Sequence, residues 1–276
     1  MQVSQIAINS ISTRHADLEE ALKAYAAAGF RNVEFHLPLI KDWLAEGHTL
    51  EDVSSLLKQY QLQSIGGFQS HVECFAAPES QRANHALHVE NARLIHALGG
   101  GTLVVGTDGP EQPTIEALET VAQTLQQLAI QVKGLNVQIA LEFNWSPLIK
   151  SLSSAVRVAE LVDHPQVGVL FDPAHYYTTV TKFEHLTTDA IRWIKHVHID
   201  DMRDKPGDLS NCNSDRVLPG EGIIDLHALV DRLAQGGYTG FYSIEMFNEE
   251  LWRLPAAEAA QRCYTSMRSL CKEETA

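Results

Sequence analysis

The stretch VQIALEFN at residues 137–144 has the pattern of one strand of a parallel barrel. Because side chains alternate along a strand, Val137, Ile139 and Leu141 share one face, which suits contact with helices packed around a barrel. The opposite face carries Ala140 and Glu142, a small residue and an acid. The pattern therefore predicts a strand that packs outward on apolar residues and presents Glu142 inward, at its carboxyl end.

Seven further segments have strand character, and helical segments separate them along the chain. The strand segments begin at Gln5, Asn32, Ser64, Thr102, Val167, Ile194 and Gly240. Helical periodicity begins at Leu18, Leu50, Thr114, Ser154 and Asp225, and also runs through HALHVENARLIHALGG. Several helices are expected to end in the left-handed turn that glycine tolerates, at Gly29, Gly99, Gly134 and Gly236.

This alternation predicts an α/β fold, a closed (β/α)8 TIM barrel that forms a single domain over residues 1–276. A strand returns about every 30 to 45 residues, which is the length that a βαβ unit needs. An open doubly wound sheet is the alternative. It is disfavoured because no G-x-G-x-x-G motif follows the first strand.

The charge of the chain excludes two classes of partner. Lys and Arg total 21 against 35 Asp and Glu, a formal charge of −14, so neither nucleic acid nor an anionic membrane surface is expected to bind. The first residues lack a basic segment before a long apolar core, and the cysteines form no C-x-x-C pair. We expect a cytoplasmic protein with reduced thiols. The sequence leaves the oligomeric state open, with a homo-oligomer among the alternatives.

The last four predicted strands each end in a residue that can bind a metal ion. These residues are Glu142, Asp172, His198 and Glu245. Successive strands of a barrel are neighbours and its active site lies at their carboxyl ends, so the four side chains can converge. Three carboxylates and one imidazole suit one divalent cation such as Mn, Co, Mg or Zn. One such residue alone is usually a solvated loop residue or a helix N-cap, but four in register are a rarer coincidence.

Further polar residues fall on the same predicted face. Glu34, near the end of NVEFHL, and His71, after GGFQS, are candidates for substrate binding or for an additional acid or base, with a loop role as the alternative. In HVHIDD, His196 shares the face of His198 one layer deeper, which predicts a core histidine with satisfied hydrogen bonds. Asp201 is expected to orient a neighbouring group. It begins a turn-rich segment that is too long to serve only as a connecting loop.

Several motifs resemble those of the xylose-isomerase-like TIM barrels, which act as sugar isomerases and epimerases. They are ALEFN, LFDPAHYY, HVHIDD, DRVLPGEGIIDL and SIEMFNEELW. Within that family, HIDD and DRVLPGEGIIDL are most similar to the inosose isomerases, which move the ketone of a keto-inositol to a neighbouring carbon. The resemblance implies that the same four strand-end residues bind the metal. It also implies that His175 and Arg216 reach the substrate oxygens.

The resemblance thus implies a metal-dependent isomerase or epimerase of a keto-polyol or keto-sugar. Such a reaction removes a proton next to the ketone and passes through an enediolate whose charge the cation stabilises. Glu142 and Glu245 come from strands that are not neighbours and are expected to act as base and acid.

Two alternatives to the isomerase stay open. One is a metal-dependent dehydratase, a lyase of a cyclic keto-polyol or a dehydroshikimate-like compound. It is weakened because Asn144 stands where dehydroshikimate dehydratases of the family often carry histidine. The other is a sugar-binding or metal-binding barrel without activity, which has no physical need to keep four ligands of costly like charge.

Overall fold

The computed structural model describes residues 1–144 and 146–272. Within them, eight parallel strands close into a barrel, and a short antiparallel pair lies beside it. The strands are β1 (Ile6–Asn9), β2 (Asn32–His36), β3 (Gln63–Phe68), β4 (Thr102–Val105), β5 (Gln138–Glu142), β6 (Val167–Phe171), β7 (Ile194–Ile199), the short pair β8 (Asp201–Met202) and β9 (Arg216–Val217), and β10 (Tyr242–Ile244). β10 pairs with both β7 and β1, which closes the ring. The predicted (β/α)8 barrel is confirmed.

Helices connect the strands and cover the outside of the barrel. They are α1 (Leu18–Ala28), α2 (Leu37–Ala45), α3 (Leu50–Gln59), α4 (Pro78–Ala97), α5 (Glu116–Gln131), α6 (Leu152–Val162), α7 (Pro173–Thr178), α8 (Thr188–Ile191), α9 (Leu226–Gln235), α10 (Glu249–Trp252) and α11 (Ala256–Ser269). The six predicted helical segments correspond to α1, α3, α4, α5, α6 and α9. None of the helices in the described part of the chain has the length and apolar character that crossing a membrane requires.

One predicted left-handed turn lies a residue later than expected. Gly29, Gly99 and Gly134 take positive φ angles as expected, but Gly236 stays helical at −76° and Gly237 takes +94°. A Cβ on Gly236 would overlap the side chain of Ile191. Gly236 is therefore needed for close approach, and the next glycine supplies the left-handed turn.

The alternation predicted for β5 is present in the fold. Val137, Ile139 and Leu141 belong to the large core between strands and helices. The apolar cluster inside the barrel is small and consists of Val104, Ala140 and Leu170, with Phe68 packed against it. Much of the remaining interior is polar and buried, including Asn32, Glu34, His196, His198 and Ser243. The outer core therefore carries most of the apolar packing, while the interior holds groups that must pair with one another.

We predict that Gly66 of β3 is required for closure of the barrel. A Cβ at this position would overlap the carbonyl oxygen of Thr102 in β4. Gly66→Ala should lower the free energy of unfolding in urea by about 1–3 kcal/mol, as overpacking does elsewhere. The matched control is Gly101→Ala, where the nearest atom to the added Cβ lies at 3.6 Å. That change should be neutral or stabilise by up to about 1 kcal/mol. Equal stabilities of the two variants would contradict the prediction.

Candidate active site

Four predicted metal ligands converge at the carboxyl end of the barrel. Glu142, Asp172, His198 and Glu245 each offer one atom within 4.8 Å of the others. The Nδ1 atom of His198 lies 3.2 Å from Oε2 of Glu245 and 3.6 Å from Oδ2 of Asp172. The structure therefore brings together the four residues that strand-end parity selected.

The local sequence explains how each of the four is held. Glu142 ends β5 and His198 lies in β7, so the backbone of the barrel fixes both. Asp172 is the N-cap of α7, with Pro173 at the first helical position, and its Oδ1 accepts the backbone N–H of His175 at 3.1 Å. That bond leaves Oδ2 facing the cluster. Glu245 follows β10, and its backbone N–H donates to the carbonyl of Ile199 in β7 at 3.2 Å.

The cluster concentrates negative charge. The carboxylates around His198 belong to Glu34, Glu142, Asp172, Asp200 and Glu245. The Arg216 guanidinium lies 3.1 Å from Asp172, 2.6 Å from Asp200 and 2.9 Å from Glu245. Burial raises the pKa of Asp172, but Arg216 and His175 outweigh it and hold that pKa well below its usual value. Burial lowers the pKa values of His175 and His198, but the carboxylates outweigh it and hold both well above the usual value. One guanidinium and two imidazolium rings still face five carboxylates, so the cluster favours a further cation.

Two buried atoms give a direct test of whether a metal ion fits. Within the described part of the chain, Oδ2 of Asp172 and Nδ1 of His198 make no hydrogen bond of acceptable geometry, despite their charged neighbours. Buried polar atoms are rarely left without a partner, and here an oxygen and an imidazole nitrogen face each other at 3.6 Å. A divalent cation satisfies both atoms and matches the oxygen-rich set. The donor set therefore fits a divalent metal ion.

Glu34 lies beneath His198 and is fully buried. Its carboxylate accepts hydrogen bonds from Nε2 of His198 and from Nε2 of His196, each at 3.1 Å. Burial raises the pKa of Glu34, but the two histidines outweigh it and hold that pKa well below its usual value. Glu34 does not lie at the strand end as predicted, because β2 continues to His36 and leaves Glu34 one layer below the rim of the barrel. Its role in substrate binding stays a prediction.

His175 and Arg216 line a cavity of about 330 Å³ over the cluster. The other lining residues are Phe68, Val104, Glu142, Asn144, His198, Cys212, Asn213, Glu245 and Phe247. Nε2 of His175 lies 3.5 Å from Oε1 of Glu142, so the two side chains meet in this cavity. His71 is exposed and does not belong to the lining residues. Its role in substrate binding stays a prediction.

Arg216 reaches the cluster because the long segment after β7 folds back on itself, and the carboxylate of Asp201 stabilises this conformation. β9 pairs with β8, which places Arg216 opposite Met202. Asp201 accepts the backbone N–H groups of Met202 and Ile224 at 2.9 Å. It also accepts those of two glycines in the turn, at 3.1 Å each. The expectation that Asp201 orients neighbouring groups agrees with these four bonds.

Sequence reasoning gave no role to three residues that hold the site. Asn9, at the end of β1, donates to Oε1 of Glu245 at 3.2 Å. Asn144 donates to Oε2 of Glu142 at 3.2 Å, and Asp200 pairs with Arg216. Each is a polar residue at or just after an apolar strand. The sequence shows these polar residues at the strand ends, but the residue that each of them contacts depends on the tertiary fold.

Comparison with known proteins assigns the family. Residues 22–269 match the family model described as xylose isomerase-like TIM barrel. The chain belongs to this family. The inosose isomerase of Bacillus subtilis is 32% identical over 149 residues, which are 53% of each chain. The chain thus spans about half the length of the inosose isomerases that it matches.

Two further proteins align with most of this chain. The inosose dehydratase of Lacticaseibacillus casei is 21% identical over 259 residues, 84% of this chain and 83% of that protein. The crystal structure of the IolI protein with a bound zinc atom superposes with a TM-score of 0.87 at 23% identity, over 96% of this chain and 97% of that one. At that identity the likeness establishes the fold.

We predict that Asp201→Asn loosens the segment that carries Arg216. The amide would keep one acceptor oxygen and turn an N–H group toward backbone donors, which leaves buried donors unsatisfied. The free energy of unfolding should fall by about 1–3 kcal/mol, and limited proteolysis should cut between residues 203 and 222. Asp204→Asn, an exposed position in the same segment, is the control and should match the wild type. An Asp201→Asn variant as protease-resistant as this control would contradict the assignment.

Proposed function

We propose that this protein is a divalent-metal-dependent isomerase or epimerase of a keto-polyol or keto-sugar, with an inosose-like compound as the first candidate substrate. The observation that carries the proposal is a pair of carboxylates, Glu142 and Glu245, in one cavity. They come from strands separated by β6 and β7 and both line the cavity. Two carboxylates that reach neighbouring carbons of one substrate can move a proton between them.

Glu142 suits the role of base. Its side chain is 17% exposed, whereas those of Asp172, His198 and Glu245 are at most 5% exposed, so Glu142 faces the cavity most openly. Burial raises its pKa, but the neighbouring His175 contributes to a net lowering, which favours the ionised form that accepts a proton. Asn144 fixes one oxygen of Glu142 by its hydrogen bond. The other oxygen, Oε1, lies 3.5 Å from Nε2 of His175 and is the one we assign to the carbon next to the ketone.

Glu245 suits the role of the acid that returns the proton to the neighbouring carbon of the substrate. Asn9 and Arg216 hold its two oxygens, which limits the rotation of the carboxylate. Arg216 and His175 both line the cavity, and we assign them to substrate oxygens. The guanidinium of Arg216 is only 1% exposed and is held by Asp172, Asp200 and Glu245, so it would meet a substrate from a fixed position. Phe68, Val104 and Phe247 supply apolar surface that excludes water from the enediolate.

A divalent cation held by Glu142, Asp172, His198 and Glu245 would supply charge stabilisation for the oxygens of the enediolate. The names of the matched relatives, inosose isomerase and inosose dehydratase, support a cyclic keto-polyol as the substrate class. The acidic composition and the four free cysteines support action on a free small molecule in the cytoplasm.

A dehydratase is the second candidate. The relative named inosose dehydratase aligns with 84% of the chain, which favours this reaction specifically. Isomerisation and dehydration both begin by removing a proton next to the ketone. They differ in whether a neighbouring hydroxyl is retained or leaves as water, and this difference appears in the mass of the product.

We predict one tightly bound divalent cation per chain. Protein stripped with a chelator and reloaded with Mn, Co or Zn should contain about one equivalent by elemental analysis. Asp172→Asn removes a charged ligand and should weaken metal binding by more than about 100-fold. This effect is larger than the usual loss when a residue that only hydrogen-bonds to a ligand is replaced. Asp204→Asn keeps the same chemical change at an exposed site and should bind as the wild type does. Wild-type affinity in Asp172→Asn would refute the assigned site.

We predict deuterium incorporation next to the carbonyl of the substrate. Incubation with keto-inositols and ketoses in deuterated water should give an isomer of unchanged composition with deuterium at that carbon. Glu142→Gln should lower turnover by about 10²–10⁴-fold, because the amide cannot accept the proton. Glu249→Gln, an exposed position on α10, is the control. A product lighter by one water would support the dehydratase instead, and no exchange with a loaded metal site would refute both reactions.

A further inference from the structure

A buried carboxylate bridges two histidines in the barrel interior. Glu34 in β2 accepts Nε2 of His198 and Nε2 of His196, at 3.1 Å each, and the two imidazole rings stand nearly perpendicular at 83°. None of the three side chains is more than 3% exposed. They lie on the inner side of the barrel below the proposed metal ligands, and they have no direct part in the cavity chemistry except through His198.

The strand pairing is irregular next to this triad of Glu34, His196 and His198. Between β2 and β3 the pairing shifts by one residue, from Val33↔Ser64 to Glu34↔Gly66. Between β6 and β7 it shifts again, from Val169↔Ile194 to Leu170↔His196. A bulge inserts one unpaired residue and changes the direction of the side chains that follow. The barrel therefore departs from regular pairing next to Glu34 and next to His196.

The arrangement determines which nitrogen of His198 faces the metal ligands. An imidazole that donates from Nε2 to a carboxylate keeps its lone pair on Nδ1 when neutral. Nδ1 is the atom that faces Asp172 and Glu245. We infer that Glu34 is a positioning residue that fixes the ring and tautomer of His198 for metal binding, and that His196 holds Glu34 in place. This inference rests on the metal site of the proposed function.

The same three residues could instead hold a second ion, because their donor atoms also lie within 4.8 Å of one another. The structure favours hydrogen bonding. One carboxylate already accepts both N–H groups at ordinary hydrogen-bond distances, and complete burial leaves little access for an ion. The stoichiometry of metal binding separates the two arrangements.

The test compares metal affinity, measured by competition with a chromophoric chelator, in four variants. Glu34→Gln should weaken Zn binding by about 10–100-fold, as loss of a carboxylate behind a ligating histidine does. His196→Gln should weaken it by less, and the double variant should bind as Glu34→Gln alone does, because His196 acts through Glu34. Ser243→Ala is the control. Ser243 is buried inside the barrel and pairs in register with His198, but it does not contact Glu34 through a hydrogen bond.

Each outcome has one meaning. Failure of the wild type to bind metal would overturn the metal site itself, and with it the proposed function. One ion per wild-type chain with unchanged affinity in Glu34→Gln would overturn the inference alone. Two ions per chain, one of them lost in Glu34→Gln, would assign the triad to a second metal.

A measurement on the wild type covers the case in which Glu34→Gln does not fold. Nitrogen chemical shifts of the histidine rings in the zinc-loaded protein should identify Nδ1 of His198 as the metal-bound atom and Nε2 as protonated. A metal-bound Nε2 would overturn the inference. A role of Glu34 in folding alone would leave this tautomer unspecified and would not predict the non-additivity of the double variant.

Discussion

Repulsion among the buried carboxylates around His198 is the constraint on which the rest of this structure depends. Five acidic groups share the carboxyl end of one barrel, and each needs a positive partner or a hydrogen-bond donor there. The interior supplies Arg216, the histidines and the amides of Asn9 and Asn144. The barrel therefore has little apolar packing at its centre, and the layer between strands and helices supplies most of the hydrophobic stabilisation.

The same charges order the long segment after β7. Burying a guanidinium is unfavourable unless carboxylates surround it, and breaking such a buried pair typically costs about 3–5 kcal/mol. Arg216 meets three carboxylates at once and also lies 5.3 Å from the ring centre of Phe247. Asp201 then satisfies the backbone of the turn that follows. The wall of the cavity and the charge of the cluster therefore depend on each other, which couples folding of this segment to assembly of the site.

Strand parity predicted much of the site because the barrel backbone sets the positions of strand-end residues. Only the inward face and the carboxyl end of each strand had to be predicted correctly to find Glu142, Asp172, His198 and Glu245. Glu34 was misplaced because its strand runs two residues further, a difference that local pattern does not resolve. Arg216 came from resemblance, since no periodicity shows where a long segment folds back. The helix α11 was missed because its buried face is made mostly of small residues, Ala256, Ala259, Ala260, Cys263 and Met267.

Under the proposed function, the difference between an isomerase and a dehydratase depends on which donor holds the hydroxyl next to the reacting carbon. Arg216 and Asn144 can donate hydrogen bonds, but neither a guanidinium nor an amide readily gives up a proton near neutral pH. His175 differs from them because a protonated imidazole can act as an acid: burial lowers the pKa of His175, but Asp172 and Glu142 outweigh it and hold that pKa well above its usual value. It lies 3.5 Å from Glu142, the proposed base. A hydroxyl held by Arg216 would stay on the ring, whereas a hydroxyl protonated by His175 would leave as water. Under the proposed function, the orientation of the substrate between these two side chains would therefore select the reaction.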